Sequence, residues 1–255
     1  MISKIKEHGF LFSELVKRDF KKKYKRTYLG MLWSIISPLL TLFVLTVVFK
    51  SFFGGKTEHY TIYVFCGNII FSFFSDATGG GMGALLYNAD IFSKLNVPKY
   101  LFLLSRIVSS LINFGLTLIV FLIFCVLDGI AINFSFLALG IPIISLIIFN
   151  IGIGFILSAM YIFFRDIQYL WSVFTMLLMY LSAIFYTLDS FSPEAQRLFL
   201  FNPLFVYIKY FRIIVIDGSM PSVQFSLLAI GYAFLSFIIG ALIYKRYNHK
   251  FLYYV

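Results

Sequence analysis

The chain is organised as a series of long apolar runs separated by short polar connections. Six such runs lie at 29–49, 60–78, 100–127, 134–164, 168–188 and 223–244. A helix needs about 20 apolar residues to cross the hydrocarbon core of a bilayer. A backbone surrounded by lipid must also satisfy its hydrogen bonds internally. The pattern therefore predicts an all-α polytopic membrane protein with six transmembrane helices.

The segment that precedes the first run, residues 1–26, has a different pattern. Apolar residues such as Leu11 and Leu15 recur every three to four positions, with basic residues such as Lys17 and Lys21 between them. This pattern is typical of an amphipathic helix that lies in the membrane interface. The alternative is a soluble helix packed on another domain, but no soluble segment follows for it to pack on. We predict an N-terminal interface helix.

Two connections differ from ordinary loops. Residues 79–99 begin with three glycines and stop near Pro98, and the segment between them favours a short helix around 84–93. Residues 189–222 are too apolar for a free loop, yet they contain three prolines and several polar breaks. Two short helices that enter the outer leaflet and return would fit this second segment. The alternative is one ordinary span plus a loop, which would place the C-terminus outside.

Composition and charge support a membrane protein with both termini in the cytoplasm. Of the 255 residues, 61% are hydrophobic and only 13% are charged, and 21 basic residues face 11 acidic ones. Placing the N-terminus inside leaves sixteen basic residues on the inner side and five on the outer side. The basic clusters are therefore interpreted as contacts with membrane lipids and not with nucleic acid. The whole chain, 1–255, is predicted to be a single transmembrane domain.

The sequence contains no recognisable catalytic motif and no complete cofactor-binding motif. The stretch 54–57 resembles the end of a phosphate-binding loop but lacks its first glycine. Histidines and cysteines have no metal-ligand spacing, so no metal and no catalytic residues are predicted. Asp76 is the one acid within a run, and we interpret it as a solvated or hydrogen-bonded acid in preference to a proton relay. If the chain is part of a transporter, the free energy for transport must therefore come from a partner protein.

Aromatic residues are the remaining chemical resource of the spans. Rings with a polar edge can stack on sugar faces and hydrogen-bond to sugar hydroxyls. The candidates for lining a substrate channel are Trp33, Phe43, Tyr180, Phe185 and Tyr186. The alternative for each is an aromatic residue that faces lipid or the membrane interface.

Several blocks in order along the chain resemble the permease subunits of bacterial polysaccharide ABC exporters, the type 2 exporters of O-antigen, teichoic acid, capsule or rhamnan chains. The opening block comprises residues 18–21, Tyr24, 28–30, Trp33 and 38–39, and the loop block comprises 88–94 and 97–98. Later blocks comprise 164–167, 184–186, Pro193, 202–203 and Arg212. Phe71 departs from the family, which often has tryptophan in the second span.

The resemblance implies an assembly in the bacterial inner membrane. Two copies of the chain would pair, and two soluble ATPase subunits carrying ATP and Mg would dock below them. The loop 84–98, with Asn88, Asp90, Lys94 and Pro98, would transmit ATP-driven closure. Spans one and five of both copies would line a pore. The segment 189–222, with Pro193, Asn202, Pro203 and Arg212, would gate its outer end.

The resemblance also implies a substrate, an undecaprenyl-pyrophosphate-linked glycan fed through as an extended chain. Arg18, Lys21 and Arg26 are candidates for contact with the pyrophosphate, and solvated positive charge on the inner side is the alternative. Three other functions are left open. The chain could belong to an ABC exporter for small hydrophobic drugs or lipids, to a membrane enzyme acting on lipid-linked sugars, or to a structural subunit.

Overall fold

The computed structural model describes residues 2–25, 27–53, 58–94, 97–189 and 191–254 as an all-helical bundle without strands in those ranges. The helices are α1 (Ile2–Tyr24), α2 (Trp33–Phe53), α3 (Tyr60–Met82), α4 (Ala89–Lys94), α5 (Tyr100–Leu127), α6 (Gly140–Phe163), α7 (Ile167–Leu181), α8 (Pro193–Phe199), α9 (Pro203–Val215) and α10 (Val223–Tyr247). Short 3₁₀ turns precede α2, α4 and α6. The predicted all-α polytopic class is confirmed.

Five of the helices are long and apolar enough to cross a bilayer, namely α2, α3, α5, α6 and α10. Helix α7 has 15 residues, about 22 Å at 1.5 Å per residue, so the predicted fifth span at 168–188 is too long at its C-terminal end. Helices α8 and α9 form a pair bent by 106°. Within the described ranges the count is therefore five long spans, with the short α7 in the fifth position along the chain.

The last turns of α1 and of α10 lie at the same end of the bundle, which we call the base. In the last turn of α1, Lys23 reaches Asp76 at the end of α3. Near the C-terminus, the backbone carbonyl of Asn248 accepts a hydrogen bond from Lys99, just before α5. The opposite end, which we call the top, contains α8, α9 and the start of α3. Helix α7 therefore runs from base to top and α10 runs back.

Helix α3 lies in the centre of the bundle, and α2 lies at its edge. In the most apolar window of each helix, 67% of α3 is buried but only 11% of α2. Helices α6 and α10 pack most closely, because Gly152 and Gly240 allow their backbones to touch. A Cβ atom at Gly152 would lie 2.3 Å from the Ser236 carbonyl carbon. Small residues at such contacts are typical of helix packing in membranes.

The predicted amphipathic helix is present as α1, and it packs on α5 of the same chain. Leu15 is buried, and the Asp19 carboxylate is 7% exposed. Asp19 accepts hydrogen bonds from Arg18 and, at 3.0 Å, from the Ser105 hydroxyl of α5. The apolar stripe and one buried acid thus fix α1 across the base of the bundle.

Candidate functional site

A half-open cavity of about 450 Å³ lies between α2, α3, α5 and the end of α1. We call it the polar cavity, because nine of its lining residues are serine, threonine or asparagine. They are Thr27, Ser34, Ser37, Thr41, Asn68, Ser72, Ser110, Asn113 and Thr117. Trp33 and the Lys23–Asp76 pair complete its basal part. A cavity of this volume is in the range that binds small ligands.

The polar cavity exists because each of three apolar helices has one polar face. Polar residues recur at three- to four-residue spacing on α3 (Asn68, Ser72, Asp76) and on α5 (Ser110, Asn113, Thr117). Residues at this spacing share a helix face. From Asp76 to Asn68 the α3 face rises about 12 Å at 1.5 Å per residue. The cavity therefore extends from the base well into the apolar part of the bundle.

Hydrogen bonds within the chain satisfy only part of this lining. The Thr117 hydroxyl donates to the Asn113 carbonyl at 3.0 Å, and the Tyr24 hydroxyl donates to Asn113 Oδ1 at 2.7 Å. Burial and, less strongly, the Asp76 carboxylate raise the pKa of Tyr24, so its phenol stays a neutral donor. Asn113 Nδ2 is buried and has no partner among the described residues. An unsatisfied buried donor is costly, so the cavity offers a hydrogen bond to a ligand.

Asp76 closes the basal end of the polar cavity through an ion pair. Its Oδ2 lies 2.9 Å from Lys23 Nζ, and both side chains are about one-third exposed. The sequence favoured a hydrogen-bonded acid at this position over a proton relay, and the structure gives Asp76 such a partner. Lys23 also lines a second cavity of about 310 Å³.

This second cavity, which we call the basic cavity, lies between α1, the end of α3 and the start of α5. Its charged lining comprises Arg18, Asp19, Lys22, Lys23 and Arg106. Gly80 makes room for Arg106, since a Cβ atom there would lie 2.4 Å from Arg106 Nε. The four cations outnumber the single carboxylate.

Only part of the predicted pyrophosphate set lies in the basic cavity. Arg18 lines it, whereas Lys21 borders a neighbouring groove that Arg18 also lines. Arg26 lies outside the described residues. Lys22, Lys23 and Arg106 line the cavity, although the sequence analysis did not single them out for this role.

The predicted loop 84–98 forms a compact segment at the base, with 95–96 outside the described residues. Asn88 is turned inward and donates to the Ala84 carbonyl at 2.7 Å, whereas Asp90 and Lys94 on α4 are exposed. Pro98 is half-buried. Lys99 follows it, and burial lowers the pKa of this amine. Asp90 and Lys94 are therefore the members of the set that a docking protein can reach.

The aromatic residues predicted to line a substrate channel lie in three separate places. Trp33 lies at the polar cavity. Phe43 on α2 and Tyr180 on α7 are 66% and 53% exposed on the edge of the bundle. Phe185 is buried and stacks on Phe49 at 4.7 Å between ring centroids. Tyr186 is half-buried and donates to the Tyr180 carbonyl at 2.8 Å.

Helix α7 ends in a buried turn, residues 182–186, which we call the carbonyl turn. Arg212, 7% exposed, donates to the carbonyls of Ala183 at 2.9 Å and Ile184 at 3.1 Å. Tyr60 donates to the next carbonyl, of Phe185, and Tyr63 to that of Tyr186, each at 2.8 Å. Side chains of α3 and α9 thus replace the helical bonds that this segment lacks.

Two of the predicted breaks in 189–222 mark the starts of α8 and α9. Ser192 accepts a hydrogen bond from the Ala195 amide, and Pro193 occupies the first position of α8. Asn202 caps α9 in the same way through the Leu204 amide, followed by Pro203. This is the preferred order of cap residue and proline at a helix start. The Asn202 amide also donates to the Leu181 carbonyl, which joins α9 to the end of α7.

The polar cavity was not predicted from the sequence, although its signal was present. Polar residues at helical spacing inside three apolar runs indicate faces that avoid lipid, whereas the predicted spans rested on apolar length and charge alone. Among the described residues, no group of three metal-ligating side chains occurs. Cys66 and Cys125 are buried and free.

Comparisons with known proteins extend over most of the chain. The model of the family described as ABC-2 type transporter matches residues 11–216. A Klebsiella pneumoniae protein named O-antigen export system permease protein RfbA is 29% identical over 248 residues, which cover 95% of both chains. An Escherichia coli protein named polysialic acid transport protein KpsM is 25% identical over 235 residues, 91% of each chain.

A third relative is named for the export of capsule polysaccharide. The Neisseria meningitidis serogroup B capsule polysaccharide export inner-membrane protein CtrC is 22% identical over 201 residues. That match covers 78% of this chain and 76% of the relative. The similarity to all three proteins therefore extends well beyond the short blocks noted in the sequence.

Proposed function

Because the chain belongs to the ABC-2 type transporter family, we propose that it is the membrane-spanning subunit of an ATP-driven exporter that moves a lipid-linked polysaccharide across the cytoplasmic membrane. The observation that carries this proposal is the polar cavity, whose hydroxyl and amide lining suits a hydroxylated cargo. The names of the relatives, which refer to O-antigen, capsule and polysialic acid, agree with this class of cargo.

The alternative cargo, a small hydrophobic drug or lipid, would favour an apolar pocket. Ligand sites for such compounds are lined mostly by hydrophobic and aromatic side chains. The polar cavity instead places eight serine, threonine and asparagine residues within three membrane helices. Because polar groups without a partner are costly in lipid, this lining supports the polysaccharide over the drug.

We propose that two copies of the chain form a pore between α2 and α7 of each copy. These helices have long exposed apolar faces, with Phe43 and Tyr180 on them. A second copy would cover those faces and place the aromatic rings beside the path. The bent pair α8 and α9, held on the carbonyl turn by Asn202 and Arg212, would gate the outer end.

We propose that two soluble ATPase subunits dock at the base, which would be cytoplasmic together with both termini. Asp90 and Lys94 are exposed on α4 and would contact the ATPase. ATP and Mg would be bound by those subunits, so the chain itself would not be an enzyme. The undecaprenyl-pyrophosphate carrier of the glycan would approach the base, where Arg18 lies with three other cations.

The test is ATP hydrolysis and glycan export by the chain co-expressed with the ATPase encoded beside it. We expect a stable complex that hydrolyses ATP, no hydrolysis by the chain alone, and lipid-linked glycan accumulating inside cells that lack the chain. Asp90→Lys should reduce ATPase activity of the complex at least about tenfold, and Ser93→Ala, an exposed neutral change on the same short helix, should not. A cell phenotype that needs no ATPase would remove the proposal.

A further inference from the structure

The polar cavity contains hydrogen-bonding groups that the protein itself leaves unused. Asn113 is 9% exposed, and its Nδ2 has no partner among the described residues. Ser110 is 2% exposed, and no hydrogen bond of its hydroxyl is found within the described ranges. These groups lie on neighbouring turns of α5 and face the same space.

The opposite wall supplies groups of a different kind. Trp33 places an indole ring at the cavity, and Asn68, 8% exposed, places an amide there from α3. An aromatic face beside several hydroxyls and amides can stack on the apolar face of a sugar while hydrogen-bonding its hydroxyls. An apolar ligand would leave these polar groups unsatisfied.

The charge of the polar cavity distinguishes it from the basic cavity. Its only two charged side chains among the described lining residues, Lys23 and Asp76, neutralise each other at 2.9 Å. A neutral ligand therefore fits here, whereas an anion would be drawn to the basic cavity beneath. The two cavities share Lys23, so a ligand could carry its anionic part to one and its neutral part to the other.

We infer that the polar cavity binds one neutral sugar unit of the transported glycan, with Asn113 as its main amide donor and Trp33 as its stacking surface. This rests on the proposed function, which supplies the glycan. The adjoining groove, bordered by Asn68, Ser72, Asp76 and Met179, would lead the following sugars from α3 toward α7.

The chain offers an optical probe for this site because it has only two tryptophans, Trp33 and Trp171. Trp171 lies outside both the polar and the basic cavities. Trp171→Phe therefore leaves Trp33 as the single reporter on the cavity wall. The experiment is a titration of the Trp171→Phe complex with its ATPase, reconstituted in phosphatidylcholine nanodiscs, with methyl glycosides up to about 100 mM. That range covers millimolar dissociation constants, which correspond to weak binding of a single sugar.

We expect a saturable change in Trp33 fluorescence with at least one methyl glycoside, and none with glycerol. Asn113→Leu should weaken this binding about 3- to 10-fold, as expected for the loss of one hydrogen bond. Asn150→Leu is the matched control, because Asn150 is fully buried on α6, has neither side-chain atom bonded to a described residue, and lines neither cavity. Thr117→Val is a milder second variant if Asn113→Leu does not fold.

Three results would overturn the inference. They are no saturable response to any sugar, equal affinity in the Asn113→Leu and Asn150→Leu variants, and a response to phosphatidylglycerol nanodiscs without one to sugars. If the complex exports glycan and hydrolyses ATP but gives one of these results, the sugar site fails and the proposed function stands. If the complex neither exports glycan nor hydrolyses ATP, the proposed function itself is wrong, and the sugar site fails with it.

Discussion

Arg212 is expected to be the residue that most strongly stabilises the top of the bundle. Its guanidinium donates to three backbone carbonyls, those of Tyr63, Ala183 and Ile184, at 2.9 to 3.3 Å. It also lies 3.4 Å from the centre of the Tyr63 ring. Arg212→Met keeps an apolar side chain of similar length but removes every one of these donors.

The size of the effect follows from the carbonyls left behind. The Tyr63 carbonyl keeps its hydrogen bond within α3, so only the Ala183 and Ile184 carbonyls lose their donor. A buried acceptor without a partner costs about 1–3 kcal/mol, so these two carbonyls set a gross loss of about 2–6 kcal/mol, and the lost contact with the Tyr63 ring adds about 2 kcal/mol. Relief from burying a cation offsets several kcal/mol of this. We take about 3 kcal/mol as the net loss of stability. For a chain of this length that is a fall in Tm of about 6–12 °C.

The assay is thermal unfolding of the purified protein in detergent, followed by the amount of monodisperse protein that survives heating. Lys209→Met is the matched control, because Lys209 is an exposed cation on the same helix, with only distant ring contacts at 5.9 Å. We expect the control to shift Tm by less than about 2 °C. Arg212→Lys should fall between the two, since an ammonium cannot match the planar fork of donors.

A Tm for Arg212→Met within about 2 °C of both wild type and the Lys209→Met control would refute this reasoning. It would mean that water or lipid headgroups satisfy the carbonyl turn without Arg212. A double-mutant cycle with Tyr63→Phe gives a second check. Tyr63 holds the carbonyl of Tyr186 in the same turn, so the two losses should combine less than additively.

Two further predictions concern the rest of the bundle. Gly152→Leu should abolish recovery of folded protein, because a Cβ atom there would lie 2.3 Å from the backbone of α10. Gly231→Leu on α10 should be tolerated, because a Cβ atom at that position would have no neighbour within 4 Å. Size-exclusion chromatography of the two purified variants distinguishes these outcomes. Asp19→Ala should cost about 1–3 kcal/mol, because it removes the charged acceptor of the buried Ser105 hydroxyl and of the half-buried Arg18. Glu14→Ala, whose ion pair with Lys17 is exposed, should cost less than about 1 kcal/mol. Equal Tm values for the two acid variants would contradict the role given to Asp19.

The long spans could be read from the sequence because lipid imposes a simple requirement on them. Runs at 60–78, 100–127 and 223–244 correspond closely to α3, α5 and α10. Apolar length and the absence of charge are sufficient to predict such helices. Proline and asparagine likewise located the starts of α8 and α9, because cap chemistry is local.

The end of α7 could not be read in the same way. Residues 182–186 contain neither glycine nor proline, and most of them are apolar, so the predicted span ran on to 188. The helix stops because Arg212 and two tyrosines on other helices bond the carbonyls of the turn. Ala183 adopts a φ of +48° there, which alanine rarely does. Tertiary contacts distant in sequence therefore decide this boundary.

The polar cavity could be predicted from the sequence only in part. Each polar face is visible in its own helix, but the sequence does not reveal that α2, α3 and α5 turn these faces toward one another. The same holds for the basic cavity, where Arg106 lies beside Arg18 because Gly80 leaves space for the Arg106 side chain. Composition predicted cations at the base, and packing selected which of them meet.

Helix α3 connects all of these features physically. Its first turns hold the carbonyl turn through Tyr60 and Tyr63, its middle lines the polar cavity, and Gly80 near its end borders the basic cavity. Its 23 residues span about 33 Å at 1.5 Å per residue, and α4 follows after a short connection that contains a 3₁₀ turn. A displacement of α4 by a docked partner would therefore meet one continuous, centrally buried helix. Because α3 packs against both α5 and α6, such a displacement would reach the cavity and the carbonyl turn together.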